Sequence, residues 1–169
     1  MDIVVKDANI IIDLLNIGLS QYCSQMKVEF HITQHVFREI RDDTQRQQMI
    51  DMILRKELIV DDFTGEEYEC FLEMVGSFDG VNNLSDADCS VIILAKRYNC
   101  RLLTSDRKLK RQAEDQGLRV NGLLWITDTM VEQGILTGAE MIPYLKRYRE
   151  TNPRAPQGEI NKRIEIYKE

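Results

Sequence analysis

The sequence predicts an α/β fold, a three-layer α/β/α arrangement in which a mostly parallel central sheet is covered on both faces by helices. Three observations carry that prediction. Short apolar runs alternate with helical stretches of about 10 to 15 residues, the pattern of strand–helix–strand units. The segment from Asp86 to Arg97 has helical spacing with almost no polar face, carrying Ala87, Cys89, Val91, Ile92, Ile93, Leu94 and Ala95, so it is a buried helix. Acidic residues recur where a strand gives way to a helix, the edge at which open α/β sheets place their sites.

In chain order, Ile3-Val4-Val5 is a short buried strand ending at Lys6-Asp7, and Asn9 to Leu19 runs on as a helix with Ile10, Ile11, Leu14 and Leu15 on its core face. Lys27 to Ile32 is the second strand, with Thr33 as N-cap of a helix through Val36, Phe37 and Ile40 that carries Glu39. Gln45 to Leu54 is helical, Glu57 to Asp61 is a strand around Leu58-Ile59-Val60, and Gly65 to Phe78 is an amphipathic helix. A loop, Asp79 to Asn83, leads into the buried helix, and the run Cys100 to Thr104 is a buried strand that ends at Ser105-Asp106. Arg107 to Gln116 returns to helical spacing, Leu118 to Val120 is the last strand, and Gly122 opens a helix through Leu124, Trp125 and Met130. Thr137-Gly138 breaks it, Met141 to Tyr148 is helical, and Thr151 to Gln157, with Pro153 and Pro156, breaks the pattern before a terminal helix from Glu159 to Tyr167.

At 169 residues the chain has the length of one domain with a proper core. No apolar run approaches the roughly 18 to 20 residues of a membrane span, and Met1-Asp2 lacks the basic start of a signal peptide, so a cytoplasmic protein with no membrane partner is expected. Cys23, Cys70, Cys89 and Cys100 are scattered without CxxC spacing, mostly in apolar settings, and read as reduced core residues rather than a zinc site. The net charge of -6 argues against a polyanionic partner, but its distribution does not. Residues 29–88 hold five basic and fifteen acidic residues, whereas residues 96–119 hold eight basic and three acidic ones. An acidic half thus faces a basic segment.

Each prominent acid has an ordinary explanation. Asp7 and Asp106 suit helix N-caps, Ser85 with Asp88 matches the capping-box spacing, and Glu39 suits a solvated helix residue. Their joint placement asks for more. Asp7 and Asp106 fall at the carboxyl ends of parallel strands, and Asp88 lies on one helical stripe with Val91, Ile92 and Ala95, which points its carboxylate inward. Carboxylates converging there would repel strongly unless a cation held them, and oxygen-only ligands suit Mg²⁺ or Mn²⁺.

Taken together these segments resemble the PIN-domain nucleases, and especially the small prokaryotic PIN proteins that act as toxins of toxin–antitoxin pairs. The resemblance covers about residues 1–130 and rests on VVKDANIIIDLL, ITQHVFREI, LSDADCSVIILAKRYNCRLLTSDRKL and GLRVNGLL. It implies a nuclease core over 1–130, with 131–169 a helical extension packed on the same domain. It implies that Asp7, Glu39, Asp88 and Asp106 form the catalytic quartet, with Asp7, Asp88 and Asp106 binding one or two Mg²⁺ or Mn²⁺ ions. Asn9, Thr104 and Ser105 fall at supporting positions, and Asp86, two residues before Asp88, is the accessory acid or its alternative. The activity implied is metal-dependent hydrolysis of RNA, with Lys96, Arg97, Arg107, Lys108, Lys110 and Arg111 as candidates for steering the backbone. A small antitoxin is the partner the resemblance suggests, and the helices from Gly138 onward are open to homodimerisation, partner binding or packing.

Other chemistries are disfavoured. His31 and His35 are four apart, but Thr33 between them marks a strand-to-helix change. Trp125, Tyr144 and Tyr148 sit at helical positions among Leu124, Met141 and Leu145 and read as core or interface residues. There is no P-loop, GxGxxG or nucleophile motif, and Asp7-Ala8-Asn9 is neither the paired acids of a receiver domain nor the D-x-D of a haloacid-dehalogenase-type phosphatase. A non-catalytic binding module on the same fold is the rival reading.

Overall fold

The computed structural model describes residues 1–77 and 84–169, so the expected loop at 79–83 lies outside the described residues. The strands are β1 (Asp2–Lys6), β2 (Val28–Thr33), β3 (Ile59–Asp61), β4 (Arg101–Leu103) and β5 (Val120–Asn121). The helices are α1 (Ala8–Ile17), α2 (Gln34–Glu39), α3 (Asp43–Leu54), α4 (Gly65–Ser77), α5 (Asp86–Tyr98), α6 (Arg107–Asp115), α7 (Leu123–Glu132), α8 (Gly138–Thr151) and α9 (Gln157–Tyr167). A 3-10 helix, Ser20–Gln25, which the sequence pattern does not announce, joins α1 to β2.

The five strands form one parallel sheet in the order β3-β2-β1-β4-β5. The chain winds outward from β1 in one direction as far as β3, then returns to the other side of β1 with β4. The reversal leaves a crevice at the carboxyl ends of β1 and β4, where such sheets bind their ligands. The two ends are joined there, because the Asp7 backbone N–H donates to the Leu103 carbonyl at 2.9 Å.

The buried helix of the sequence reading is α5, in which every residue from Ala87 to Ala95 except Asp88 is buried. It lies across β1, β2 and β4 with α2 and α4 packed on it, while α1 packs with α7 and α8. Each Val, Ile or Leu so buried contributes about 1.5–3 kcal/mol, so α5 fixes its own position on the sheet. Asn99 in the left-handed conformation, φ 46°, stops the helix and turns the chain into β4.

Local capping follows the sequence closely at four helices. Asp7, Thr33, Ser85 and Asp106 each accept a backbone N–H at the start of α1, α2, α5 and α6. Many boundaries shift by one or two residues from expectation, and two differences have a plain local cause. β5 is Val120–Asn121, because these residues align with Leu102 and Leu103, whereas Leu118 turns back into the end of α6. Thr137, read as a breaker, is the N-cap of α8: it forms a capping box with Glu140, so that helix begins at Gly138 rather than Met141. All four cysteines are free, three of them buried and Cys70 exposed. Among the described residues no helix is long and apolar enough to cross a membrane.

Candidate active site

Acids gather at the carboxyl ends of β1 and β4, where Asp88 and Asp106 line the crevice while Asp7 and Glu39 are not among its lining residues. Asp7, the residue after β1, is 3% exposed. Its Oδ1 accepts the Ala8 N–H at 2.8 Å and its Oδ2 accepts the Thr104 hydroxyl at 2.8 Å. The same Thr104 oxygen accepts the Asp106 N–H at 3.1 Å, so one hydroxyl holds the residue after β1 against the loop after β4. Asp106 spends Oδ1 on the Lys108 and Leu109 N–H groups. Its Oδ2 makes no hydrogen bond among the described residues.

Asp88 enters from the first turn of α5. The helical stripe predicts a carboxylate buried among apolar neighbours, but the side chain is half-buried and lines the crevice. Its position explains this: Asp88 is the third residue of α5, and the capping box spends its Oδ2 on the Ser85 N–H at 3.1 Å while Ser85 Oγ accepts the Asp88 N–H. Asp86, its alternative, lines a separate depression with His35, Arg38 and Phe63. Glu39 is the last residue of α2, and its side chain is exposed.

The electrostatics tie the four acids together. Burial pushes the Asp7 carboxyl up to about 6, opposed by the Thr104 hydrogen bond and assisted by the charges of Asp88 and Glu39. Asp88 is raised by desolvation and then by Asp106, and Glu39 by desolvation and then by Asp88. None of the four forms an ion pair among the described residues. Like charges and oxygen-only donors that no ion pair engages suit a hard divalent cation. Among the described residues no three ligating side chains are already gathered into an ion cage.

The remaining predicted residues divide. Ser105, Arg107 and Lys108 line the crevice, a cleft of about 810 Å³, together with Asp88 and Asp106. Asn9 is exposed on the first turn of α1. Lys96 and Arg97 border a different depression beside α4, where Lys96 bonds Gln116 and Arg97 is paired to Glu67. Lys110 reaches Glu114 at 3.9 Å on the exposed side of α6.

The third part of the cleft lining is one that the sequence pattern does not reveal. Pro153, Arg154 and Ala155, the turn between α8 and α9, border the same cleft as Asp88 and Asp106. The signal for this is weak in sequence, since it consists of two prolines flanking an arginine. His31 is likewise no metal ligand here: its ring nitrogens meet Asp61 at 2.5 Å and Glu29 at 2.6 Å, and His35 stands apart on α2 against Phe63 and Phe71.

A family model described as a PIN domain, DUF3368, matches residues 3–169. The chain belongs to the PIN-domain family. The PIN domain is 30% identical over 124 residues to a protein of Archaeoglobus fulgidus named ribonuclease VapC9, an alignment covering 73% of this chain and 76% of that protein. Among solved structures it is similar to a PilT N-terminus domain protein from Sulfolobus solfataricus, with 15% identity, a TM-score of 0.45, and 78% and 92% of the two chains covered. It is also similar to VapBC2 from Rickettsia felis bound to a DNA fragment from its promoter, with 17% identity, a TM-score of 0.48, and 71% and 98% covered.

Proposed function

We propose that this PIN domain is a divalent-metal-dependent ribonuclease and the toxin of a toxin–antitoxin pair. The observation that carries the nuclease reading is the set of four mutually repelling carboxylates, none held in an ion pair among the described residues, at the reversal point of a parallel sheet. The similarity to a protein named ribonuclease VapC9 supports RNA as the substrate, and together with the resemblance read from the sequence it supports the toxin role.

Asp7, Asp88 and Asp106 would hold the ion, Mg²⁺ or Mn²⁺, with Glu39 completing the acidic rim. A divalent ion supplies a lowered pKa for bound water and stabilises charge on a phosphate under in-line attack. The chain's own residues do the positioning. Thr104 fixes Asp7 and the backbone of Asp106 in one frame, and the α6 N–H groups hold one Asp106 oxygen so that the other is oriented. Arg107 and Lys108, on the cleft, offset the repulsion between an acidic protein and an RNA backbone. Residues 1–130 form the nuclease core in this reading, and 131–169 a helical extension packed on it.

The test is cleavage of a mixed panel of single-stranded RNAs with Mg²⁺, with Mn²⁺ and with EDTA, beside Asp7→Asn as the control for contaminating nuclease. Metal-dependent cleavage absent in the variant is expected. A folded, metal-loaded protein that leaves every RNA intact would instead point to a non-catalytic binding module. For the toxin role, induced expression of the parent is expected to arrest growth, and that of Asp7→Asn is not.

A further inference from the structure

We infer that Arg154, on the turn between α8 and α9, contacts a phosphate of the RNA and positions the backbone over Asp88 and Asp106. The inference rests on the ribonuclease reading and adds to it a substrate contact from outside the segments that carry the sequence resemblance. Arg154 borders the carboxylate cleft along with Arg107 and Lys108. The latter two come from the start of α6, whereas Arg154 comes from a turn about 46 residues further along the chain, so cations from two separate elements flank one acidic floor.

The turn is built, not loose. Asn152 Nδ2 donates to both carboxylate oxygens of Asp13, at 3.3 and 3.1 Å, and Asn152 Oδ1 accepts the Arg154 N–H at 2.9 Å. The Ala155 N–H returns to the Asn152 carbonyl at 3.0 Å, and Ala155 is buried. Asp13 lies on α1, the helix that Asp7 caps, so the turn is anchored to the same element as the central acid. Beyond the turn, Arg163 of α9 clasps both oxygens of Asp128 on α7 at 2.7 and 2.8 Å. Only the Arg154 side chain remains to be ordered when a ligand arrives.

That side chain is exposed and makes no hydrogen bond or ion pair among the described residues, although it shares a cleft with two carboxylates. Other arginines of the helical extension are engaged: Arg147 with the Ile17 carbonyl, Arg149 with Asn161, Arg163 with Asp128. A guanidinium left free beside a phosphate-binding cleft offers a planar two-pronged donor that matches phosphate oxygens, which an ammonium does not reproduce.

Arg154→Ala and Arg154→Lys in the full chain test this. Both are expected to melt within about 2 °C of the parent, because the side chain is exposed and unpaired. Arg154→Ala should raise KM and lower kcat/KM by about 10-fold or more, with Arg154→Lys recovering only part of the loss. In the cleavage-dead Asp7→Asn background, removing Arg154 should weaken single-stranded RNA binding and make the plot of log affinity against log salt shallower by about 0.7, the loss of one phosphate contact. An Arg154→Ala protein with the parent's KM and salt slope overturns the inference. So does one that cleaves faster than the parent, which would mean that the guanidinium shields the carboxylates. In either of these cases a parent that cleaves leaves the ribonuclease reading standing; a parent that neither cleaves nor binds RNA removes both.

Discussion

Two groups of acids in this PIN domain are handled in opposite ways. Around Arg97 the acids are matched with donors and cations: the guanidinium meets Glu67 at 2.6 Å and Asp61 at 3.4 Å, Tyr98 donates to Asp61 at 2.8 Å, and His31 sits between Asp61 and Glu29. Around Asp7 there are hydrogen-bond donors, and none of the four acids forms an ion pair among the described residues. The consequence shows in the carboxyls themselves. The Arg97 hydrogen bonds hold Glu67 down at about 2, whereas burial drives Asp7 up to about 6. The first cluster joins β2, β3, α4 and α5; the second leaves its carboxylates outside any ion pair among the described residues. Carboxylates alone therefore do not mark a site, and the difference lies in whether ion pairs within the protein engage them.

The sharpest way to break that comparison is Asp7→Asn. Cleavage should fall by at least about 10²- to 10³-fold, the scale on which a group stabilising charge at a reacting centre acts. The metal-free melting temperature should equal or exceed the parent's, since a buried, repelled charge is removed while an amide can still bond Ala8 and Thr104. Because the Asp7 shift is upward, from 3.8 to about 6, its cost to the folded state is absent below the lower value and complete above the upper one. The stability gain of the variant should therefore grow as the pH rises through that window. A variant that melts well below the parent at neutral pH would contradict the picture of an uncompensated acid.

Arg97→Met is the converse. It leaves Asp61 and Glu67 without their cation and should cost about 2–3 kcal/mol, a loss of roughly 4 to 12 °C in melting temperature. An unchanged melting temperature would mean that the matched cluster is surface decoration. The smallest effect is expected from Glu67→Gln, read by urea unfolding midpoints across pH. The folded-state shift of Glu67 is downward, so its contribution is full above its ordinary value of 4.5 and is lost as the pH falls toward about 2. The gap between parent and variant should be open at pH 7 and close through that window; parallel midpoints would sink the assignment.

What the sequence made legible was local. The apolar run of α5 and the N-caps at Asp7, Thr33, Ser85 and Asp106 are short-range patterns, and the strands and helices they bound fall where periodicity puts them. Asp88 illustrates the limit. Helical spacing placed it on a core stripe, but a first-turn position at a helix end turned it to the cleft. Thr137 illustrates another, since a residue that interrupts one helix was the cap of the next. The contacts that assemble the site were beyond any local pattern. Asn152 finds Asp13 across 139 positions, and His31 finds Asp61 across 30. Nothing near Arg154 in the chain announces that its turn borders Asp88.

The Thr104 hydroxyl that touches Asp7 spans 97 positions. In the ribonuclease reading, that long span also bears on when cleavage could begin. During synthesis Asp7 is made well before β4, which must dock beside β1 to give the cleft its second side, and before the bordering turn that carries Arg154. A half-built chain therefore carries Asp7 without the cleft that the ribonuclease reading requires. On that reading the capacity to cleave RNA would arrive together with the completed fold, and a partner recognising the finished surface would meet the protein at that moment.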